Sequence, residues 1–212
     1  MSEKRGLPEA SIARLCMLYT LLGDLVEQGQ ARVSSSELGR ILDIAPHSIR
    51  KDISLLGEVG NVGSGYDTTR LRAHIRDRLH LERPRNACVV GLGKLGTAIL
   101  GFERFRESGI TMVAGFDSNI NRLETIRTSI EVFPAYEIAE IVQRKKIVLG
   151  VIAVPPLAAQ EAADRLMRGG VRGIVNFSPA PIRHNPEKVF VTTMDVEREF
   201  AILSARIAFN NE

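Results

Sequence analysis

A chain of 212 residues holds one large domain or two small ones. Its 44% hydrophobic and 25% charged residues are ordinary for a globular protein. The net charge of +3 is mild, and residues 1–82 carry 11 Lys and Arg against 11 Asp and Glu, so an argument for nucleic-acid binding cannot rest on bulk basicity. Cys16 and Cys88 sit in apolar contexts and read as buried, reduced thiols without metal-ligand spacing. The run Leu15 to Gly23 is followed by Asp24 and Glu27 with no small-residue cleavage site. Ile147 to Ala159 is too short to span a bilayer and is broken by Pro155-Pro156. The expectation is a cytoplasmic protein with neither metal nor membrane association.

Ile12, Leu15, Cys16, Tyr19, Leu22 and Val26 recur at helical spacing and predict a first amphipathic helix, ended by Gly29. Ser34 with Glu37 forms a capping box for a second helix to about Leu42. Asp43-Ile44-Ala45 is a tight turn, and Pro46 opens a third helix to about Leu56. Gly57, Gly60, Gly63 and Gly65 mark a turn-rich stretch suited to a wing, and Asp67 to Leu81 a fourth helix.

Two short helices around a tight turn make a helix-turn-helix candidate. On the third helix, Ile49, Ile53 and Leu56 share one face, while His47, Arg50, Lys51 and Ser54 lie opposite. That polar face can reach phosphates and base edges in a major groove, or it is a solvated surface. The candidate DNA-contacting set is Ser35, Ser36, His47, Ser48, Arg50, Lys51 and Ser54, with Asn61 and Tyr66 from the wing stretch. Asp52 falls off the reading face and suits a structural pair. Arg70, Arg72, Arg76 and Arg78 form a basic run that either touches phosphates or faces solvent.

Arg83-Pro84-Arg85 reads as a linker, and strands then alternate with helices to about Thr193, the pattern of a Rossmann-like doubly wound parallel sheet. Strands are expected at 87–91, 111–116, 147–153, 173–177 and 188–192. The first runs into Gly91-Leu92-Gly93-Lys94-Leu95-Gly96, and the second delivers Asp117 about 20 residues past the last glycine. Gly91 allows the turn, Gly93 lets backbone approach a pyrophosphate, and Gly96 lets helix and strand pack closely. The following helix supplies N–H donors for phosphate. Asp117 can accept from both ribose hydroxyls and repel a 2′-phosphate, favouring NADH and NAD+ over their phosphorylated counterparts. A last helix, Asp195 to Phe209, carries the stripe Val196, Phe200, Leu203 and Ile207, with Asp195 placed to cap it.

Over nearly its full length the sequence resembles the Rex family of redox-sensing transcriptional repressors. The resemblance rests on Leu7-Pro8, Arg14-Leu15, Val33 to Leu38, Ile49 to Ile53, Leu56-Gly57-Glu58 and Gly65-Tyr66 in the first part of the chain. It continues in Gly91 to Gly96, Phe116-Asp117, Val154-Pro155 with Ala159-Gln160-Glu161, Gly173 to Pro179, Met194-Asp195-Val196 and Glu199-Phe200. It implies a homodimer with an N-terminal winged-helix domain (1–82), a Rossmann-like NAD(H)-binding domain (83–194) and a domain-swapped C-terminal helix (195–212). It also implies binding to an inverted-repeat operator in double-stranded DNA at high NAD+ and release when NADH rises. By the same resemblance Ala153, Val154 and Pro155 with Asn176, Phe177 and Ser178 line the cofactor's inner half, Phe177 being alternatively a core aromatic. Arg14 and Asp195 match positions of a cofactor-dependent charge pair, and Phe200 and Leu203 lie in the dimer helix. Two departures stand out: Asn61-Val62 replaces the usual basic pair of the wing, and Ser118 to Leu123 replaces the usual sequence after the acid, bringing Arg122 near Asp117.

A small NAD(H)-dependent oxidoreductase is the competing expectation; it needs an acid or base beside the nicotinamide. His184 is the one histidine in the α/β half, in a turn-like loop, and Lys94 and Tyr136 are unaccompanied. A module for another nucleotide, such as coenzyme A, shares the glycine turn, though Asp117 would repel its 3′-phosphate.

Overall fold

The computed structural model describes residues 7–57 and 65–210, which fall in two compact units, Met1–Arg83 and Pro84–Glu212. The wing stretch, including Asn61 and Val62, lies outside the described residues.

In the first unit, helix α1 (Glu9–Glu27) buries Leu15, Leu18 and Leu22. Strand β1 (Arg32–Val33) precedes α2 (Ser35–Leu42), whose cap is Ser34, its hydroxyl accepting from the Glu37 N–H at 3.1 Å. Asp43 takes the left-handed conformation (φ 54°) and turns the chain into α3 (Pro46–Ser54). Gly39 is what lets that turn close. A Cβ there would stand 2.4 Å from the Ile44 carbonyl oxygen, whose own N–H donates to the Gly39 carbonyl. Strand β2 (Tyr66–Asp67) pairs antiparallel with β1, and Asp67 caps α4 (Thr68–Leu79). Ile49, Ile53, Leu38, Leu71 and Ile75 join the α1 leucines in one core. The third and fourth helices stop at Ser54 and Leu79, two residues short of the sequence expectation in each case.

Asp52 is also fully buried, on the inner side of α3. It accepts from Arg14 Nε at 2.5 Å and Arg14 Nη2 at 2.9 Å, a bidentate pair tying α1 to α3. Burial pushes the Asp52 carboxyl up, but hydrogen bonds from Arg14 and Ser11 and the charges of Arg14 and Lys51 outweigh it and hold the group below its usual range.

The second unit begins with β3 (Arg85–Val90) and the glycine turn into α5 (Lys94–Leu100). Strand β4 (Ile110–Asp117), α6 (Ile120–Thr125), β5 (Val132–Pro134), α7 (Ile138–Arg144) and β6 (Ile147–Ile152) follow. The unit ends with α8 (Pro156–Gly169), β7 (Gly173–Asn176), β8 (Phe190–Thr193) and α9 (Val196–Asn210). Among the described residues the strands form one parallel sheet ordered β5-β4-β3-β6-β7-β8. Strand β5 was not expected; three residues carry no readable alternation.

One sheet face packs on Ile138, Ile141 and Val142 of α7 and Ala159, Ala163 and Leu166 of α8. The other is covered by α5 at its β3–β4 end. Towards β7 and β8 that second face stays open, with Val175 and Phe190 exposed over an apolar groove of about 360 Å³. No described residue of α9 is buried.

Replacing Arg14 by Ala strands a buried carboxylate. The variant is expected to lose about 3 kcal/mol of unfolding free energy in denaturant titration, and Arg14→Ala/Asp52→Asn less than the two single changes summed. The lowered Asp52 pKa makes its stabilisation fully present above the unfolded-state value near about pH 4 and lost as pH falls through the folded-state value. Wild-type stability should therefore fall more steeply than that of Asp52→Asn in acid.

Candidate functional site

The sheet order reverses between β3 and β6, and in such sheets ligands collect at the carboxyl ends of the strands flanking the reversal. A cleft of about 470 Å³ opens there, lined by Gly91, Gly93, Asp117, Ala153, Val154 and Pro155 among the expected residues. Ser118, Arg122, Glu161 and Arg165 line it as well.

Glycine is required at two points of the turn. Gly91 has φ 93°, and a Cβ there would stand 2.5 Å from the Ala153 carbonyl oxygen; one on Gly96 would stand 1.8 Å from the Gly91 oxygen. The backbones of β3, α5 and the β6 loop therefore touch where the cleft floor is built. Gly93 is different: nothing lies within 4 Å of its Cβ position, so its bare backbone faces the open cleft. Leu92 is buried under the turn, while Lys94 and Leu95 are exposed on α5.

Asp117 is only 4% exposed, yet three donors surround its carboxyl. Its Oδ2 accepts from the Leu92 N–H at 2.7 Å and from Arg122 Nη1 at 2.9 Å, and its Oδ1 from the Asn119 N–H at 2.8 Å. Burial pushes the carboxyl up; the two N–H groups and the Arg122 guanidinium more than reverse this and hold it below the usual carboxylate range.

The remaining expected cleft residues stand apart. Asn176 and Ser178 are buried and bond to their own loop: Asn176 Nδ2 donates to the Ala180 carbonyl, and Asn176 Oδ1 accepts from the Ser178 N–H. Phe177 lines the apolar groove on the open sheet face. Arg165, which sequence reasoning passed over, is held at the cleft by Glu161 at 2.6 Å and the Ala135 carbonyl at 2.8 Å. The i, i+4 spacing of Glu161 and Arg165 on one helix was the available signal.

In the first unit, His47, Arg50, Lys51 and Ser54 are exposed on α3 opposite the buried Ile49 and Ile53. Arg50 Nη1 donates to the Ser35 hydroxyl at 3.0 Å, joining α2 to α3, and Ser54 donates to the Lys51 carbonyl at 2.6 Å. Ser36 is exposed, Ser48 half-buried and Tyr66 buried in the core. Arg72 lies over the Tyr19 ring at 4.8 Å, so at least this member of the basic run packs on α1. Arg14 is bonded to Asp52, and Asp195 caps α9 by accepting from the Arg198 N–H at 3.0 Å. Phe200 and Leu203 are exposed on α9.

A helix-turn-helix unit followed by a Rossmann-like sheet with a glycine-lined cleft defines a ligand-responsive DNA-binding class of protein. Residues 6–54 match the family described as "Putative DNA-binding protein N-terminus", and residues 82–180 match "CoA binding domain". A redox-sensing transcriptional repressor Rex from Carboxydothermus hydrogenoformans is 34% identical over 95% of this chain and 96% of its own. One from Roseiflexus sp. is 38% identical over 92% and 88%. A solved structure of RSP in complex with β-NAD+ and operator DNA is 28% identical, with a TM-score of 0.87 over 98% of this chain and 95% of that one. The chain belongs to the Rex family of redox-sensing transcriptional repressors. Its relatives carry the name of a regulator, not of an enzyme.

The Gly96→Ala Cβ overlaps backbone, so the variant is expected to lose about 2 kcal/mol or more of stability; Gly93→Ala, with open space around it, should match wild type in thermal unfolding.

Proposed function

We propose that this chain is a repressor that grips operator DNA with its first unit and lets go when NADH occupies the cleft of the second. The observation that carries the reading is one chain joining a cationic, exposed α3 face to a glycine-lined switch-point cleft, matched along 98% of its length by RSP, whose structures hold β-NAD+ with operator DNA and β-NADH. His47, Arg50, Lys51 and Ser54, with Ser35, Ser36 and Ser48, face the groove and phosphates, and the wing stretch bearing Asn61 follows them. The bare backbone at Gly93 and the N-terminus of α5 take the pyrophosphate, and Ala153, Val154 and Pro155 flank the inner half of the cofactor.

Protein thiols are poor candidates for the redox sensor. Cys88 is buried in β3, which pushes its thiol up to about 12; Cys16, expected to be buried, is exposed on α1, where partial desolvation still raises its thiol. A nicotinamide ring that is charged when oxidised and neutral when reduced supplies the signal instead. A preference for one form tilts an equilibrium between two dimer arrangements, and a nearly complete switch needs about 5 kcal/mol.

Unburied apolar surface supports a dimer. Val196, Phe200, Leu203 and Ile207 of α9 are each more than half exposed, and burying each is worth about 2 kcal/mol. A second copy exchanging this helix buries them and brings two α3 helices onto an inverted repeat. Among the described residues no helix is long and apolar enough to cross a membrane and no acid, His or Cys cluster could hold a metal. A repressor of this kind works in the cytoplasm, where its DNA lies. Against the oxidoreductase alternative stand the relatives, which carry the name of a transcriptional repressor.

Selection of bound sequences from random duplex DNA, followed by NADH titration of the selected complex, tests the reading. Release by NADH and retention with NAD+ are expected; equal retention in both ends it. Gly93→Ala should fold yet fail to release DNA at NADH concentrations that free the wild type.

A further inference from the structure

Five strand ends lie in one row across the parallel sheet. Phe116 pairs with Val90, Val90 with Ile152, Ile152 with Asn176 and Asn176 with Thr193. The residues just past the row bond back onto it. Gly91 N–H donates to the Phe116 carbonyl, Ala153 to Val90, Phe177 to Ile152 and Met194 to Asn176, at 2.7–2.8 Å. On one side of the row those following residues, Asp117, Gly91 and Ala153, line the cleft. On the other side Met194 leads to Asp195, the cap of α9. Cleft wall and helix root therefore share one frame.

Asn176 stands where the two sides meet. Phe116, Val90 and Ile152 are buried and apolar, whereas Asn176 places a fully buried amide in the same row. It is not among the residues that line the cleft. A buried amide must find partners, and these ones lie on both sides of it. Its Oδ1 accepts from the Ser178 N–H at 3.0 Å, and its Nδ2 donates to the Ala180 carbonyl at 2.9 Å. The same Nδ2 makes a longer contact, 3.4 Å, to the Thr193 hydroxyl beside the root of α9. The loop after β7 is held from its far end by Gln160 of α8, whose amide bonds both the N–H and the carbonyl of Arg183. Helix α8 in turn lines the cleft with Ala158 and Glu161. We propose that Asn176 is a positioning residue of the sensor, which touches no ligand and sets how α9 leaves the sheet for a given state of the cleft. A movement of the α8 wall passes through Gln160 to the loop, and through Asn176 to Thr193 and the helix. The inference rests on the cleft's being the NADH site that governs operator binding.

Aspartate at this position keeps the shape and the bond from Ser178 but cannot donate to Ala180. Valine at 193 keeps the branched shape and removes only the hydroxyl. The test measures two quantities on full-length wild type, Asn176→Asp and Thr193→Val. One is NADH affinity by calorimetry; the other is the factor by which saturating NADH weakens binding to a selected operator duplex. NADH affinity is expected to stay within about threefold of wild type in both variants. The release factor should fall about tenfold in Asn176→Asp and about threefold in Thr193→Val. A residue that only supports the fold lowers the unfolding temperature and leaves the release factor alone. A wild-type release factor in the folded variants overturns the proposal. So does a loss of NADH affinity of about tenfold or more in a folded variant, which makes Asn176 part of the ligand site. If Asn176→Asp does not fold, Thr193→Val decides by the same criteria. A wild type that binds no NADH, or keeps its operator when NADH is bound, rejects the underlying reading and is thereby distinguishable.

Discussion

The Asp117 carboxylate lies nearly out of water at the end of β4, and a charge in that position survives only if donors surround it. The donors it gathers define the cleft. The Leu92 N–H comes from the glycine turn after β3, the Asn119 N–H from the loop after β4, and the guanidinium from α6. One buried charge therefore fixes the relative positions of three backbone segments. The close approach of Gly91 to Ala153 adds the loop after β6. A ligand entering here meets a preformed wall, which suits a sensor that must detect a difference confined to one ring of its ligand.

The first unit uses the same device. Asp52 is buried on the inner side of α3 and held by the Arg14 fork from α1, so the cationic outer face of α3 is carried on a helix whose inner face is locked by both charge and apolar packing. Arg14 is thus engaged within its own unit, while Asp195 is engaged as the cap of α9.

Much of this was legible in the sequence because local rules agreed with the fold. The Ser34 helix cap, Pro46 at a helix start and the two faces of α3 each follow from spacing alone, as does the strand–glycine–helix–acid series. Asp52 was placed off the reading face by its helical angle, but its partner could not be read, since 38 residues separate it from Arg14. Gly39 carries no local signal for a related reason: its necessity comes from a carbonyl across the turn, not from its own helix. Strand β5 is too short for any period. The donors around Asp117 were the least legible feature. The motif marks an acid near a ribose site, and only three-dimensional packing shows which groups of the protein bond to it.

If NADH in the cleft of the second unit releases operator from the first, the coupling between the two is reciprocal. Its most direct test is the affinity for NADH measured twice on the same protein, free and saturated with a selected operator duplex. Operator is expected to weaken NADH binding by the same factor by which NADH weakens operator binding. Equal NADH affinity in the two states would contradict it.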